Sequence, residues 1–243
     1  VGAAGLDLPQ YVGSDERTRG VLPIPYFVYR GESLKISREA LSGRLFKRAD
    51  LVLDLSAEAA LPVKSDDNEA RTGMDDIDFV VEVGPALRYI FLRNTPQRRT
   101  LSVELPVRAV FQSNLRYIDH EGWRINPRLR WREHFGPYHL SVWLGAYWND
   151  RRYNQLYYAV EEEDANPLRP VYETSDGYGG WAASTNLTYR HHDWWVGGFI
   201  RWNDVRHANF SDSPLSVQDT NLGFGLAFAW LFKTSETRVS RWE

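Results

Sequence analysis

Ten charged side chains recur on the polar face of successive segments and could form an ion-pair network. The acidic ones come first and the basic ones follow: Asp54, Glu58, Asp78, Glu82, Glu104, Arg108, Arg124, Arg128, Arg130 and Arg132. Alternate residues of a strand share one face, so neighbouring strands would bring these positions to a common interior. Because buried charge is costly unless it is paired, we expect the acidic strands to neutralise the basic ones. A path for ions or small solutes along the arginine row is the alternative interpretation.

A second group of residues could support nucleophilic catalysis. His139 and Ser141 are two positions apart, a spacing found in lipid-hydrolysing barrels, and Asn149 could orient the imidazole. The pair adjoins a predicted short turn and falls on the interior face, where a lipid substrate would not reach it. We therefore predict that the protein is not an enzyme. The chain has no cysteine, so it has no thiolate nucleophile or thiolate zinc site.

An acidic run offers a possible binding site outside any strand. Glu161, Glu162, Glu163 and Asp164 follow one another in a long polar segment. Carboxylates in a row usually form a solvated loop tip, but they could also bind a divalent cation or a cationic ligand. The sequence leaves both interpretations open and predicts no bound metal or cofactor.

The elements that carry these residues show a two-residue hydrophobic period, which predicts strands. Residues 51–61 set Leu51, Leu53 and Leu55 against Asp54 and Glu58. The same alternation recurs in 77–91, 101–111, 122–132, 139–149, 181–190, 194–202 and 222–232. In residues 21–46 the phase slips after Ile36, which suggests a bulge.

The length of these runs and the type of their apolar residues favour a membrane barrel over a soluble sandwich. Most of the runs extend for about 11 to 15 residues, whereas strands of soluble sheets have a mode of about 5 to 6. Tilted strands that cross a bilayer need about 9 to 11 residues. Trp and Tyr cluster at the ends of the runs, where an interfacial aromatic belt would place them.

The links between the predicted strands alternate in length from residue 47 onward. Short links at 47–50, 93–98, 134–138 and 190–193 alternate with longer ones at 62–75, 112–121, 150–176 and 203–219. Outer-membrane barrels combine short periplasmic turns with long external loops in this way. The sequence thus predicts an all-β, antiparallel transmembrane β-barrel of about ten strands over residues 21–232, with twelve strands as the alternative.

Two segments lie outside the predicted barrel. Residues 1–20 form an N-terminal segment that could be a plug, a periplasmic arm or an extra strand, and residues 233–243 form a C-terminal tail. No secretory leader precedes Val1, so we expect a signal peptide to have been removed already.

Composition excludes several other classes of protein. The chain is 43% hydrophobic and 25% charged, which excludes a disordered chain. Its longest segment without Asp, Glu, Lys or Arg is 134–149, shorter than the roughly 20 residues of a membrane-spanning helix. With a formal charge of -3 and no block of Lys or Arg, the chain has no electrostatic signature of nucleic-acid binding.

Short motifs distributed along the chain resemble those of the MipA/OmpV family of Gram-negative outer-membrane proteins. The first includes Pro9, Tyr11, Gly13, Ser14 and Asp15, and is followed by Leu22-Pro23. The later ones lie at 73–78, 157–160, 178–180 and 211–215, and they include Tyr157, Tyr158, Ser213, Pro214 and Leu215. Their order and spacing cover nearly the whole chain. One departure is that Phe232, the final aromatic of the last strand, is followed by eleven more residues, whereas barrels of this type usually end there.

This resemblance implies a location and a partner class. The protein would be an integral barrel of the bacterial outer membrane, in contact with outer-membrane lipid. It would act as a scaffold that anchors peptidoglycan-remodelling enzymes, namely a lytic transglycosylase and a murein synthase. The alternative is a narrow channel, or a ligand-binding or adhesin barrel, that uses the interior arginines and the external loops.

Overall fold

Each segment with a two-residue period forms one or two strands in the computed structural model. The structure describes residues 1–24, 29–30, 34–37, 40–48, 50–114 and 116–232. For those of them that lie within 24–48 it describes the backbone alone. The strands are β1 (Gly2–Pro9), β2 (Arg17–Ile24), β3 (Tyr29–Arg30), β4 (Leu34–Ser37), β5 (Ala40–Arg48), β6 (Leu51–Ala60), β7 (Phe79–Asn94), β8 (Arg99–Ser113), β9 (Ile118–Ile125), β10 (Arg128–Phe135), β11 (Tyr138–Asn149), β12 (Gly177–His191), β13 (Trp194–Asp204) and β14 (Thr220–Trp230). One α-helix, α1 (Arg151–Tyr158), and two short 3-10 helices, Ser65–Asp67 and Glu69–Arg71, lie between strands. In the described part of the chain, no helix is both long and apolar enough to cross a bilayer.

All the described strands belong to one antiparallel sheet. Its order is β2-β1-β14-β13-β12-β11-β10-β8-β7-β6-β5-β4-β3, and β9 pairs with β8 and β11. Strands β9 and β10 therefore occupy the same place between β8 and β11, and are separated only by Asn126 and Pro127. Proline has no N–H to donate to a ladder, which accounts for the break.

The sheet curls into a barrel. Its two edge strands in this order, β2 and β3, follow each other in the chain. Strands β6 and β13 are six strand spacings apart, about 29 Å along the sheet. Nevertheless, Arg201 on β13 approaches Glu58 on β6 to 4.0 Å between Nη1 and Oε2. The two strands must face each other across an interior, so the expected all-β antiparallel barrel is confirmed.

Two features add strands to the ten that were expected. Strand β1 pairs with β14 along one edge and with β2 along the other, so residues 2–9 are part of the sheet. The phase slip after Ile36 is not a bulge within one strand, because β4 and β5 form an antiparallel pair in which Ser37 lies opposite Ala40. The C-terminal tail, residues 233–243, lies outside the described residues.

The distribution of polarity is the inverse of that in a soluble protein. Charged side chains on the inner face are buried: Arg108 is 1% exposed and Glu104 is 5% exposed. The apolar residues of the alternating pattern are exposed on the outer face, among them Leu87, Val103, Leu105, Leu129, Leu144, Leu187, Ile200, Leu222, Phe224, Leu226 and Phe228. A continuous apolar surface of this extent is untenable in water and is the surface expected against lipid hydrocarbon.

Aromatic residues mark the two borders of this surface. One belt contains Phe135, Tyr138, Tyr189, Trp194 and Trp230, with Tyr138 and Tyr189 ring centroids 5.1 Å apart. The other contains Trp123, Trp148, Trp181 and Trp202, all exposed. Tyr138 and Trp148 are ten residues apart on β11, about 33 Å along a strand. At a tilt of about 40° this separation spans about 25 Å of bilayer, the height of the apolar band of outer-membrane barrels.

The two ends of the barrel differ in their connections. Short turns join β5 to β6, β7 to β8, β10 to β11 and β12 to β13 at one end, here called the turn end. Residues 61–78, 114–117, 150–176 and 205–219 connect strands at the other, the loop end. The link expected at 112–121 is shorter, because β8 and β9 continue to pair until Ser113 lies opposite Ile118. The turn between β1 and β2, residues 10–16, also lies at the loop end, so residues 1–20 do not form an arm at the turn end.

A charge on the outer face should destabilise the protein if this face contacts hydrocarbon. Leu144 is 49% exposed near the middle of β11, and Leu168 is 93% exposed at the loop end. We expect Leu144→Arg to lower the free energy of unfolding in phospholipid vesicles by about 2–4 kcal/mol, as for arginine at a bilayer midplane. Leu168→Arg is the control and should change it by less than about 0.5 kcal/mol. Equal effects of the two substitutions would mean that Leu144 faces water.

Candidate functional site

The half of the barrel interior nearer the loop end contains two carboxylates and two arginines from four different strands. Arg108 on β8 approaches Glu58 to 2.9 Å and Glu82 to 3.7 Å. Arg124 on β9 contacts the other oxygen of Glu82 at 2.5 Å. Arg108 Nε also donates to Ser56 Oγ at 3.1 Å. Because each charge has an opposite partner, the desolvation cost of burying the group is offset.

The half of the interior nearer the turn end is centred on Glu104. Its carboxylate accepts hydrogen bonds from Arg128 at 3.0 Å, Arg130 at 2.9 Å and Arg132 at 2.9 Å. All three arginines lie on β10, and alternate positions of a strand point to the same face. The Glu104 carboxylate on β8 therefore holds the three arginines of β10 against β8. The Asp54–Arg88 ion pair, at 2.5 Å, lies beside them.

The structure brings nine of the ten expected charged residues into ion pairs on the inner face. Asp78 is the exception, because it precedes β7 at the loop end and accepts a hydrogen bond from the Tyr117 hydroxyl at 2.6 Å. The sequence pattern missed Arg88 and Arg201. Both have the inward parity of their strands, which was the available signal, but each is an isolated charge among apolar or small residues.

Arg124 connects these ion pairs to the loops. Its guanidinium lies 4.1 Å from the ring centre of Tyr147 on β11 and 4.4 Å from that of Tyr153 on α1. Such contacts between a cation and an aromatic face are stabilising, and more so when water is excluded. Arg124 Nε also donates to Asn149, whose amide donates in turn to Asn154 on α1. Helix α1 is thereby held over the interior.

The loops of the loop end pack into a buried cluster, here called the cap. It comprises residues 10–16, 61–78, 150–176 and 205–219. Its apolar core includes Tyr11, Val63, Ile77, Tyr153, Tyr157, Tyr158, Val205, Ala208 and Phe210. The rings of Tyr158 and Phe210 are stacked with centroids 3.6 Å apart.

Hydrogen bonds join the distant parts of the cap. The Tyr11 hydroxyl donates to the Leu215 carbonyl at 2.8 Å, and the Tyr158 hydroxyl donates to the Val12 carbonyl at 2.8 Å. Ser213 Oγ donates to the Tyr158 carbonyl at 2.7 Å. The motif residues of segments 9–15, 157–158 and 213–215 are therefore direct neighbours, although up to 204 positions separate them in the chain.

The turn after β1 has little freedom to vary. Gly13 has φ +93, and a Cβ there would lie 2.9 Å from Ser216 Oγ. Its N–H donates to Asn221 Oδ1 at 2.6 Å, and the Asn221 amide donates to the Ser14 carbonyl. Ser14 Oγ accepts from Asn68. Pro9 ends β1 before this turn, Pro214 is half-buried, and Asp15 is exposed.

Burial sets the protonation of the cap. It raises the pKa of Tyr11 to about 12, against a smaller lowering by the Arg71 guanidinium. Burial also raises the pKa values of Tyr153, Tyr157 and Tyr158. The phenols thus remain neutral at physiological pH and can donate the hydrogen bonds just described.

The acidic run at 161–164 lies on the surface of the cap. The side chains of Glu161, Glu162 and Glu163 are exposed, and Asp164 is half-buried. Arg169 donates to the backbone carbonyls of Asp164, Ala70 and Thr72, which fixes this loop to residues 70–72. In the described ranges, no three His, Asp or Glu side chains are grouped so that they could hold a metal ion.

The His139, Ser141 and Asn149 arrangement is not brought together as a triad. Asn149 is ten residues from His139 on β11, which is about 33 Å, so it cannot orient that imidazole. Ser141 Oγ accepts a hydrogen bond from Arg130 at 3.1 Å, and the rings of His139 and His134 are stacked with centroids 3.9 Å apart.

Little free space is left between the cap and the ion pairs. A cavity lined by Val12, Arg124, Asn149, Tyr153 and Asn203, among others, has a volume of about 10 Å³. This is close to the smallest volume that holds a single water molecule. At this level the interior is filled by side chains, and the arrangement is suited to holding loops in place.

Comparisons with known proteins identify one relationship. A family model described as "MltA-interacting protein MipA" matches residues 1–232. Neither the comparison with curated proteins nor that with solved structures gives a match. The matched range includes every strand of the sheet and every segment of the cap.

Removal of the shared carboxylate should destabilise the barrel strongly. Glu104→Gln keeps the shape of the side chain but leaves three partly buried arginines without their common counter-charge. We expect the free energy of unfolding in vesicles to fall by about 3–5 kcal/mol. Glu162→Gln, at an exposed carboxylate, is the control and should have an effect near zero. A small effect of Glu104→Gln would indicate that water or other groups solvate this row.

The cap tyrosines should titrate late in alkali. Unfolded tyrosine loses its proton near pH 10 and folded Tyr11 near pH 12. The folded state then binds more protons across this window, so the stabilisation is complete below about pH 10 and is lost as pH rises to about 12. Tyrosinate absorbance should show a late-titrating fraction that decreases in Tyr11→Phe. The absence of any late-titrating tyrosine absorbance in the wild-type protein would contradict this description of the cap.

Proposed function

Because the chain belongs to the MltA-interacting protein MipA family, we propose that it is an outer-membrane β-barrel that anchors a lytic transglycosylase and a murein synthase at the membrane. Its role is positional, since the barrel is fixed in lipid and one end holds cell-wall enzymes near their substrate. The observation that carries this proposal is the family match over residues 1–232. The apolar outer face between two aromatic belts supports the membrane location.

The turn end is the proposed docking surface. In outer-membrane barrels the long loops face outward and the short turns face the periplasm, where cell-wall enzymes act. The turn between β7 and β8 is well exposed and includes Arg98, and Arg93 lies beside it at the end of β7. Residues 10–16 belong to the cap at the opposite end, so they are not part of this surface. The tail at 233–243 is a further proposed docking segment, and it lies outside the described residues.

The proposed role is non-catalytic, and a conducting lumen is less well supported than a scaffold. Ser141, the candidate nucleophile, accepts a hydrogen bond from an arginine. The interior arginines are engaged with carboxylates from β6, β7 and β8 instead of lining an open row. The cap covers the interior with packed aromatic residues.

Charge reversal at the turn end should weaken enzyme capture. We expect Arg93→Glu combined with Arg98→Glu to reduce the crosslinked yield of both enzymes in native outer membranes several-fold, because rim charges steer association. Arg151→Glu combined with Arg152→Glu is the control at the loop end, where both side chains are exposed and the same charge change should leave the yield unchanged. The captured proteins are identified by mass spectrometry.

Two outcomes would contradict the proposal. Crosslinking that captures neither a lytic transglycosylase nor a murein synthase in the wild-type membrane would remove the anchoring role. Discrete openings of the purified protein in planar bilayers would favour the channel alternative instead.

A further inference from the structure

The outer face of β1 and β2 differs from the rest of the barrel wall in its charge. Asp7 lies opposite Phe224 of β14 and opposite Arg19 of β2. Residues directly opposite in a sheet point to the same face, and Phe224 is 48% exposed among the lipid-facing side chains. Asp7 and its arginine partners therefore lie on the outer wall of the barrel, which faces the lipid.

Two arginines share the single carboxylate of this cluster, here called the wall triad. Arg17 Nε donates to Asp7 Oδ1 at 2.5 Å, and Arg19 Nε donates to Asp7 Oδ2 at 3.0 Å. The triad thus has a net charge of +1. The side chain of Arg19 is 72% exposed, and within the described part of the chain its terminal amino groups donate no hydrogen bond. Those donors are directed into the surrounding medium and match the oxygens of a phosphate.

The triad lies at the level of lipid headgroups. Phe224 is opposite Ile200, two residues from Trp202 of the loop-end aromatic belt. Two residues of a strand are about 7 Å, a distance that a long arginine side chain covers by extending towards the interface. A phosphate in the headgroup layer can therefore reach the guanidinium groups while its acyl chains remain in the hydrocarbon.

A groove continues from the triad towards the middle of the bilayer. Its floor is Gly5 and Ala3, and a Cβ built at Gly5 would meet no atom within 4 Å. Leu226 and Val21 lie on either side of Gly5. They are 66% and 75% exposed, because glycine provides no side chain to cover them. From Asp7 to Ala3 the groove runs for about 13 Å.

We propose that the wall triad and this groove bind an anionic membrane lipid, with its phosphate on Arg17 and Arg19 and an acyl chain along Gly5 and Ala3. The charge of the triad selects the headgroup and the groove selects a chain, so the site is specific for a lipid and not for free phosphate. This site is independent of the enzyme docking proposed above, because it lies on the side wall of the barrel. Its success or failure leaves that proposal unaffected.

Native mass spectrometry of the detergent-solubilised protein tests the headgroup contact. With dioleoylphosphatidylglycerol as the probe, we expect Arg17→Gln combined with Arg19→Gln to weaken binding about tenfold, as for the loss of charge-assisted hydrogen bonds. Dioleoylphosphatidylcholine should bind more weakly and respond little to the substitutions. Arg206→Gln is the control, since Arg206 is an exposed arginine paired with Asp204 in a loop.

A second variant tests the groove. Gly5→Leu adds a side chain where space is open, so folding should be retained and phosphatidylglycerol binding should fall several-fold. Inorganic phosphate, added as a competitor, should not displace the lipid from the wild-type protein. The proposal would be overturned if the wild type and the double arginine variant bound phosphatidylglycerol equally well. It would also be overturned if Arg206→Gln weakened this binding as much as the double arginine variant does.

Folding of the variants can be checked separately. Arg19→Gln alone removes only the exposed partner and keeps the Arg17–Asp7 pair. The headgroup contact can therefore be tested with this variant even if the double variant does not fold. Each variant should show the electrophoretic mobility of the folded barrel before heating. Retention of full phosphatidylglycerol affinity by a folded Arg19→Gln variant would count against the proposed headgroup contact.

Discussion

The structure depends on the need to neutralise charge inside a barrel whose outside is apolar. A wall that faces hydrocarbon directs every second residue of each strand inward, so the polar half of the sequence shares a narrow space. Charge there is tolerated only in pairs. Glu58, Glu82 and Glu104 from β6, β7 and β8 meet arginines from β8, β9 and β10, and the arrangement of these strands follows from that pairing. The cross-barrel contact between Arg201 and Glu58 extends it to the opposite wall.

The cap is connected to this arrangement through one residue. Arg124 pairs with Glu82 below and contacts the Tyr153 ring above, so the loops are anchored to the ion pairs through the same guanidinium. The cap in turn joins the first turn of the chain to the last long loop through Tyr11 and Leu215. Barrel interior and loops therefore form one continuous packed unit, which suits a protein whose role is to hold a fixed position.

The two-residue period was enough to predict the strands, the inner face and most of the ion pairs, because parity alone assigns a residue to a face. Predictions from this period failed where a residue's contacts depend on more than the face of its strand. Asp78 has inward parity but precedes β7 at the rim, and its partner is Tyr117. The β4–β5 pair was interpreted as a bulge because a tight hairpin and a phase slip look alike in sequence. The cap could not be predicted at all, since Tyr11, Tyr158 and Ser213 come together only in three dimensions.

The pairing of β1 with β14 has a consequence for how the barrel is made. Among the described residues these are the first and last strands of the sheet in chain order, and Gly2 lies opposite Ala229. Until β14 has been synthesised and delivered, β1 has an open edge whose N–H and C=O groups cannot be left bare in hydrocarbon. Insertion one hairpin at a time would expose that edge throughout, so the ring must close before or during entry into the bilayer. Assembly is thus a late, all-or-none event governed by the pairing of two strands at opposite ends of the described residues.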